Sequence, residues 1–277
     1  MPDPSGSVFT EASDLVLSLF LSIGLATVGV LFFAVGSLVV VACGKPRALE
    51  FQRTWLGIDV LMSIAVYISG LVLLGIAWAY FGSLGSLEQA LPALAVTAGT
   101  GALVAAFLLF RARELSLDLG WFGFGGGDHV RSVALGALTY VFGLPLLIGL
   151  MGIWNVALTS LGVTEGQDVA VMIESASRDD LLPIALLAAI VIPWVEELYF
   201  RGALFSWLHK VGGAKVAVLV SSVLFAAIHG FVASGPIFVL ALMLAFARIH
   251  SRGILACFVI HAMHNGLQVA VLHFLKP

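Results

Sequence analysis

Four long stretches of the chain, residues 15–44, 60–87, 89–110 and 132–164, contain no Asp, Glu, Lys or Arg. Each is at least as long as the roughly 20 apolar residues a helix needs to cross the hydrocarbon core of a bilayer. Inside that core the backbone must satisfy its own hydrogen bonds, so segments of this kind fold as helices. The rest of the composition agrees: the chain is 61% hydrophobic and 10% charged, against about 25% charged for a soluble domain, with a mean hydropathy of +1.10. The sequence therefore predicts an all-α polytopic membrane bundle, with residues 1–277 forming a single integral membrane domain.

Three later apolar runs, 181–195, 216–247 and 253–275, are interrupted or bordered by a few polar residues. The run from Val216 to Ala247 contains Gly230, Gly235 and Pro236, which offer a turn, so it is read as two spans and the total as about eight. Charge supports this count, because cytoplasmic loops collect Lys and Arg. With eight spans, Lys45, Arg47, Arg53, Arg111, Arg113, Arg131, Lys210, Lys215, Arg248 and Arg252 fall on one side, and Arg178 and Lys276 on the other. Both termini are expected outside and the basic loops in the cytoplasm. The opening MPDPSGSVFTEASD has no basic residue before a long apolar run, so a retained span is expected and no cleavage. The loop RARELSLDLGWFGFGGGDHVR suits an interfacial connector with Trp121, Phe122 and Phe124 at headgroup depth. A net charge of −3 argues against a nucleic-acid partner. Cys43 and Cys257 both lie in apolar stretches, which supports neither a disulfide framework nor a cysteine metal site.

Ionisable residues within a membrane helix cost roughly 2.5–3.5 kcal/mol each on insertion scales and usually mark function. The fifth span carries Glu196, Glu197 and Arg201 midway along its length. Glu197 and Arg201 are four apart, which puts them on one helical face as an ion pair that scaffolds the site. Glu196 is rotated away from them, and an unpaired carboxylate in a dry setting is a candidate general base. Asp59, beside the basic loop, is read as a solvated or capping residue. The sixth span supplies Phe225 and His229. The eighth supplies His261 and Asn265 on one face, with His264 partly aligned. A histidine beside a carboxylate can help deprotonate a water, and a His/Asn pair can donate to a developing oxyanion. Taken singly, each residue also fits a structural role, the asparagine as an interhelical bridge. Their shared depth on three helices is what points to amide hydrolysis by an activated water.

The set EELYFR, FAAIH and HAMHN resembles the three motifs of the CAAX-processing and bacteriocin-processing (CPBP) membrane endopeptidases, a family that includes the type II CAAX prenyl proteases: Glu-Glu-x-x-x-Arg, Phe-x-x-x-His and His-x-x-x-Asn. The resemblance covers roughly residues 180–270. It implies that Glu196 and His229 activate water, that His261 and Asn265 form the oxyanion hole, and that Glu197 and Arg201 support them.

No metal or other cofactor is expected. Glu196, His229, His261 and His264 could in principle gather zinc, but the chain has no HExxH helix and Asn265 is a poor zinc ligand. The expected partners are the lipid bilayer and a membrane-associated or lipid-anchored protein or peptide substrate, reached through a cavity on the cytoplasmic side. Two alternatives remain: a proton-coupled transporter, since Glu, His and Arg also build proton relays, and a non-catalytic scaffold or immunity-type member of the same family.

Overall fold

The computed structural model describes residues 4–43, 55–81, 90–117, 129–163, 178–251 and 253–274. Within these, the long apolar runs are helices: α1 (Pro4–Cys43), α2 (Gly57–Phe81), α3 (Ala90–Glu114) and α4 (His129–Ser160). A continuous helical stretch follows from Arg178 to Ile228. It consists of α5 (Arg178–Leu186), a first π turn (Leu187–Val191), α6 (Ile192–Glu197), a second π turn (Leu198–Leu204) and α7 (Phe205–Ile228). Helices α8 (Phe231–His250) and α9 (Leu255–Phe274) complete the bundle. No strand occurs among the described residues. The aromatic residues Trp121, Phe122 and Phe124 and the side chain of Cys43 lie outside the described positions, as do Lys45, Arg47, Arg53, Arg252 and Lys276.

Seven helices among the described residues are long and apolar enough to cross a membrane. The sequence count of about eight differs by one segment, Asp180–Ile228, which spans 49 residues without a helix break by length alone. That segment folds back on itself at Gly213, whose φ of 76° and ψ of −179° lie outside any helical region. The reversal follows from packing: the Arg201 guanidinium lies 4.5 Å from the Phe225 ring centre, whereas a straight helix would separate those residues by about 36 Å. The second arm ends at His229, and Gly230 (φ 80°, ψ 163°) opens α8. Gly235 and Pro236 lie inside α8, so the turn between the two arms of the 216–247 run is made by His229 and Gly230.

Lipid tails are as apolar as leucine, so membrane helices associate through close packing of small residues. The α1/α4 contact works this way. A Cβ on Gly29 would lie 2.1 Å from the Leu146 backbone nitrogen, and one on Gly149 would lie 2.3 Å from that of Ala26. The core around the site is formed by Phe205, Phe225, Leu240, Ala241, Leu244, Ala245, Cys257 and Ile260, all fully buried. Asp59 is buried rather than solvated, and it caps α2 as the alternative reading has it: its carboxylate accepts from the Leu56 amide at 3.0 Å and pairs with Arg111 Nε at 2.7 Å.

Candidate active site

Glu196 and Glu197 end α6, between the two π turns, and π turns inside α-helices are frequent at functional sites. The chain changes helical register before and after the pair, so the two adjacent carboxylates are not carried on a uniform helix. Glu197 turns into the bundle. Its side chain and that of Arg201 are both 0% exposed, with Arg201 Nε 3.4 Å from Glu197 Oε2. The guanidinium is held from three further directions, by the Ala241 carbonyl at 3.2 Å and by the Phe200 and Phe225 rings. A fully buried pair of charges persists only with such added partners.

Glu196 remains 23% exposed. It does not stand apart from its neighbour, because both carboxylates meet on His261: Nδ1 lies 2.9 Å from Glu197 Oε1, and Nε2 lies 3.7 Å from Glu196 Oε2. With Glu197 ionised, the histidine nitrogen is the donor. His261 is 3% exposed and stacks edge-on against Phe225 at 5.6 Å.

His229 caps the end of α7. It is half-buried, and its Nδ1 lies 2.7 Å from the Phe225 carbonyl. A carbonyl only accepts, so this bond places the proton on Nδ1 and leaves Nε2 of the neutral ring as an acceptor. The Phe-x-x-x-His spacing also occurs at Phe205/His209 and Phe246/His250, and His250 makes the same bond to Phe246 at 2.8 Å. His229 differs from these two by its position on a cavity.

That cavity, about 560 Å3, lies between α2, α3 and the Ile192–His229 stretch. Its walls are mainly apolar, with Tyr67, Thr97, Gly101 and Val195 among them, and both Glu196 and His229 face it. The two residues read as activating water thus share one space. Asn265 donates through Nδ2 to the Ala188 carbonyl at 2.8 Å, while His264 is buried against Gln268 and Tyr140. Among the described residues, no three His, Cys, Asp or Glu side chains are grouped to hold a metal ion.

Two of the site's contacts have no sequence counterpart. Arg248, read as a charge at the loop rim, is 1% exposed and donates from Nε to the Arg201 carbonyl at 3.0 Å. Trp55 donates from Nε1 to the Gly202 carbonyl at 3.2 Å, across 147 positions of sequence. Spacing on a helix reveals neighbours three or four residues apart, and neither contact leaves such a trace.

Residues 178–267 match the family model described as type II CAAX prenyl endopeptidase Rce1-like. Over this segment the chain is similar to the Rce1-like endopeptidases. The match spans all three motifs, from Glu196 to Asn265, and includes the reversal at Gly213. No curated protein and no solved structure matches the chain. The Rce1-like segment contributes Glu196, Val195 and His229 to the cavity, and the facing wall of Tyr67, Thr97 and Gly101 comes from outside it. The family so described is one of prenyl endopeptidases.

Proposed function

We propose that the protein is an intramembrane endopeptidase that hydrolyses a peptide bond of a membrane-associated protein or peptide with a water activated by Glu196 and His229. The observation that carries this reading is that one apolar cavity is lined by both a carboxylate and an imidazole whose free nitrogen is fixed by its backbone bond. Glu196 takes a proton from the water, His229 Nε2 accepts its second hydrogen bond, and the oxygen attacks the substrate carbonyl. Carbonyl π electrons move onto oxygen, forming a tetrahedral oxyanion. His261 and Asn265 stabilise it. Protonated on both nitrogens, His261 keeps its Nδ1–H on Glu197 and has an Nε2–H to offer, and the Asn265 amide has a second N–H beyond the one on Ala188. Collapse of the oxyanion breaks the C–N bond, and the proton held by Glu196 passes to the leaving amine. Glu197 and Arg201 hold His261 in place.

The apolar walls suit a lipid-anchored or membrane-embedded segment. No metal is expected to take part, since the chain has no HExxH helix and Asn265 is a poor zinc ligand, so activity is expected to survive a zinc chelator. Stoichiometric zinc whose removal reversibly abolishes cleavage would contradict this.

The test compares membrane-fraction peptides by mass spectrometry from cells expressing the wild-type chain or Glu196→Gln at equal levels. New peptide termini that appear with wild type and not with the variant are expected. Identical termini in both, with the variant folded and abundant, would overturn the proposal and bring forward a proton-coupled transporter or a non-catalytic scaffold.

A further inference from the structure

Each π turn leaves a carbonyl for an outside group to bind. In an α-helix the amide four residues on would bond Ala188 O. Here that amide, on Ile192, bonds Leu187 O instead, and the next residue, Pro193, has no N–H to offer. Asn265 takes the Ala188 carbonyl. The second turn repeats the arrangement. The Phe205 amide bonds Phe200 O rather than Arg201 O, and the Arg201 carbonyl takes Arg248 Nε at 3.0 Å. The adjacent Gly202 carbonyl takes Trp55 Nε1. The pair Glu196–Glu197 therefore lies between two points where side chains from other parts of the chain grip the backbone. Arg201 is gripped by its own carbonyl while its guanidinium faces Glu197, and Glu197 in turn fixes His261.

We propose that Arg248, with Trp55 beside it, is a positioning residue for the active site: it holds the Arg201 carbonyl released by the second π turn and so sets the Glu197–Arg201–His261 chain next to Glu196. Neither residue touches the cavity, and neither belongs to the three motifs. A backbone carbonyl buried without a donor is costly, so losing the grip would let the π turn rewind toward an α-helix. Rewinding rotates Arg201 and the residues after it by a large fraction of a helical step relative to Glu197. The inference rests on the proposed function for its catalytic consequence, and its geometric part is tested apart from turnover.

The test uses the full-length protein in detergent micelles with 15N-labelled histidine, at one pH. The His261 ring resonances are assigned with a His261→Gln sample. Glu197→Gln gives the reference for a His261 that has lost its carboxylate partner. Arg248→Lys, which keeps the charge but not the Nε–H at that position, is expected to move the His261 Nδ1 resonance in the same sense as Glu197→Gln while His129 and His273 stay put. On a substrate found by the terminus comparison, it is also expected to lower kcat by about tenfold, which is 1.4 kcal/mol, with KM within about twofold. If Arg248→Lys does not fold, Trp55→Phe gives the same reading through the Gly202 carbonyl. An unmoved His261 in whichever variant folds overturns the inference, as does loss of the folded protein in both. Because the resonance is read without turnover, a failed peptidase reading and a failed positioning reading give different results.

Discussion

Glu196 and Glu197 are chemically identical neighbours that share one histidine, and their surroundings separate their roles. Glu197 is sealed against Arg201 with no exposed surface, whereas Glu196 reaches the cavity. Replacing either by glutamine should therefore fail in different ways. Glu197→Gln leaves the Arg201 guanidinium buried without its counter-charge, and removing one partner of such a pair costs about 3–5 kcal/mol. A large drop in thermal stability in detergent is expected. Glu196→Gln should unfold at close to the wild-type temperature and still lose cleavage by at least about 100-fold, the lower range for a general base. Equal destabilisation by the two would contradict the division. The three Phe-x-x-x-His pairs allow a second comparison. His229→Ala should abolish cleavage, while His209→Ala and His250→Ala, whose rings do not line the cavity, should leave it within a fewfold of wild type. Which histidine matters cannot be read from the spacing, because all three pairs have it and His250 makes the same backbone bond as His229.

The elements are set by hydrophobic length where they are regular and by single residues where they are not. Uncharged runs fix α1 to α4, since each can be satisfied only by its own helix. The turn at Gly230 was readable as well, because glycine tolerates the positive φ found there. The reversal at Gly213 was readable too, since the Gly212–Gly213 pair lies between Lys210 and Lys215, the basic residues expected to follow the fifth span. The two π turns leave a weaker trace, because a π turn has no composition of its own. Pro193 is the one local cause that the sequence does display, through its missing N–H. Gly213 has a φ/ψ combination open to glycine and very little else, with no neighbour within 4 Å of a built Cβ. Gly213→Ala is thus expected to cost about 1–3 kcal/mol purely in backbone strain, measured as a lower unfolding temperature. Gly24→Ala, on an exposed helical face with equally open space, should not destabilise. Similar behaviour of the two would contradict a chain reversal at Gly213.

At the scale of the whole molecule, the Rce1-like segment carries the residues proposed to react, and α2 and α3 supply the facing wall of the cavity. The motifs were readable because the proposed catalysis fixes residue type and helical spacing together. The facing wall was not, because its residues are held to shape rather than to chemistry. Gly101 illustrates this: a Cβ there would lie 2.9 Å from Val195 Cγ1, the residue before Glu196. Gly101→Ala should therefore displace Val195 at the cavity wall and change which substrates are cleaved at some cost in stability, read as a rise in KM for the wild-type substrate together with a lower unfolding temperature. An unchanged KM would remove α3 from the substrate site. Trp55 and Arg248 stayed unread for a related reason, since their partners are carbonyls, which every residue offers. The central claim is that Glu196 and His229 act on one water across a shared cavity, and a double-mutant cycle on an identified substrate tests it most directly. Groups acting as a unit are strongly non-additive. Cleavage by Glu196→Gln, His229→Ala and the double variant should accordingly fall to about the same residual rate. Two separate losses that multiply in the double variant would contradict a common water and with it this account of the site.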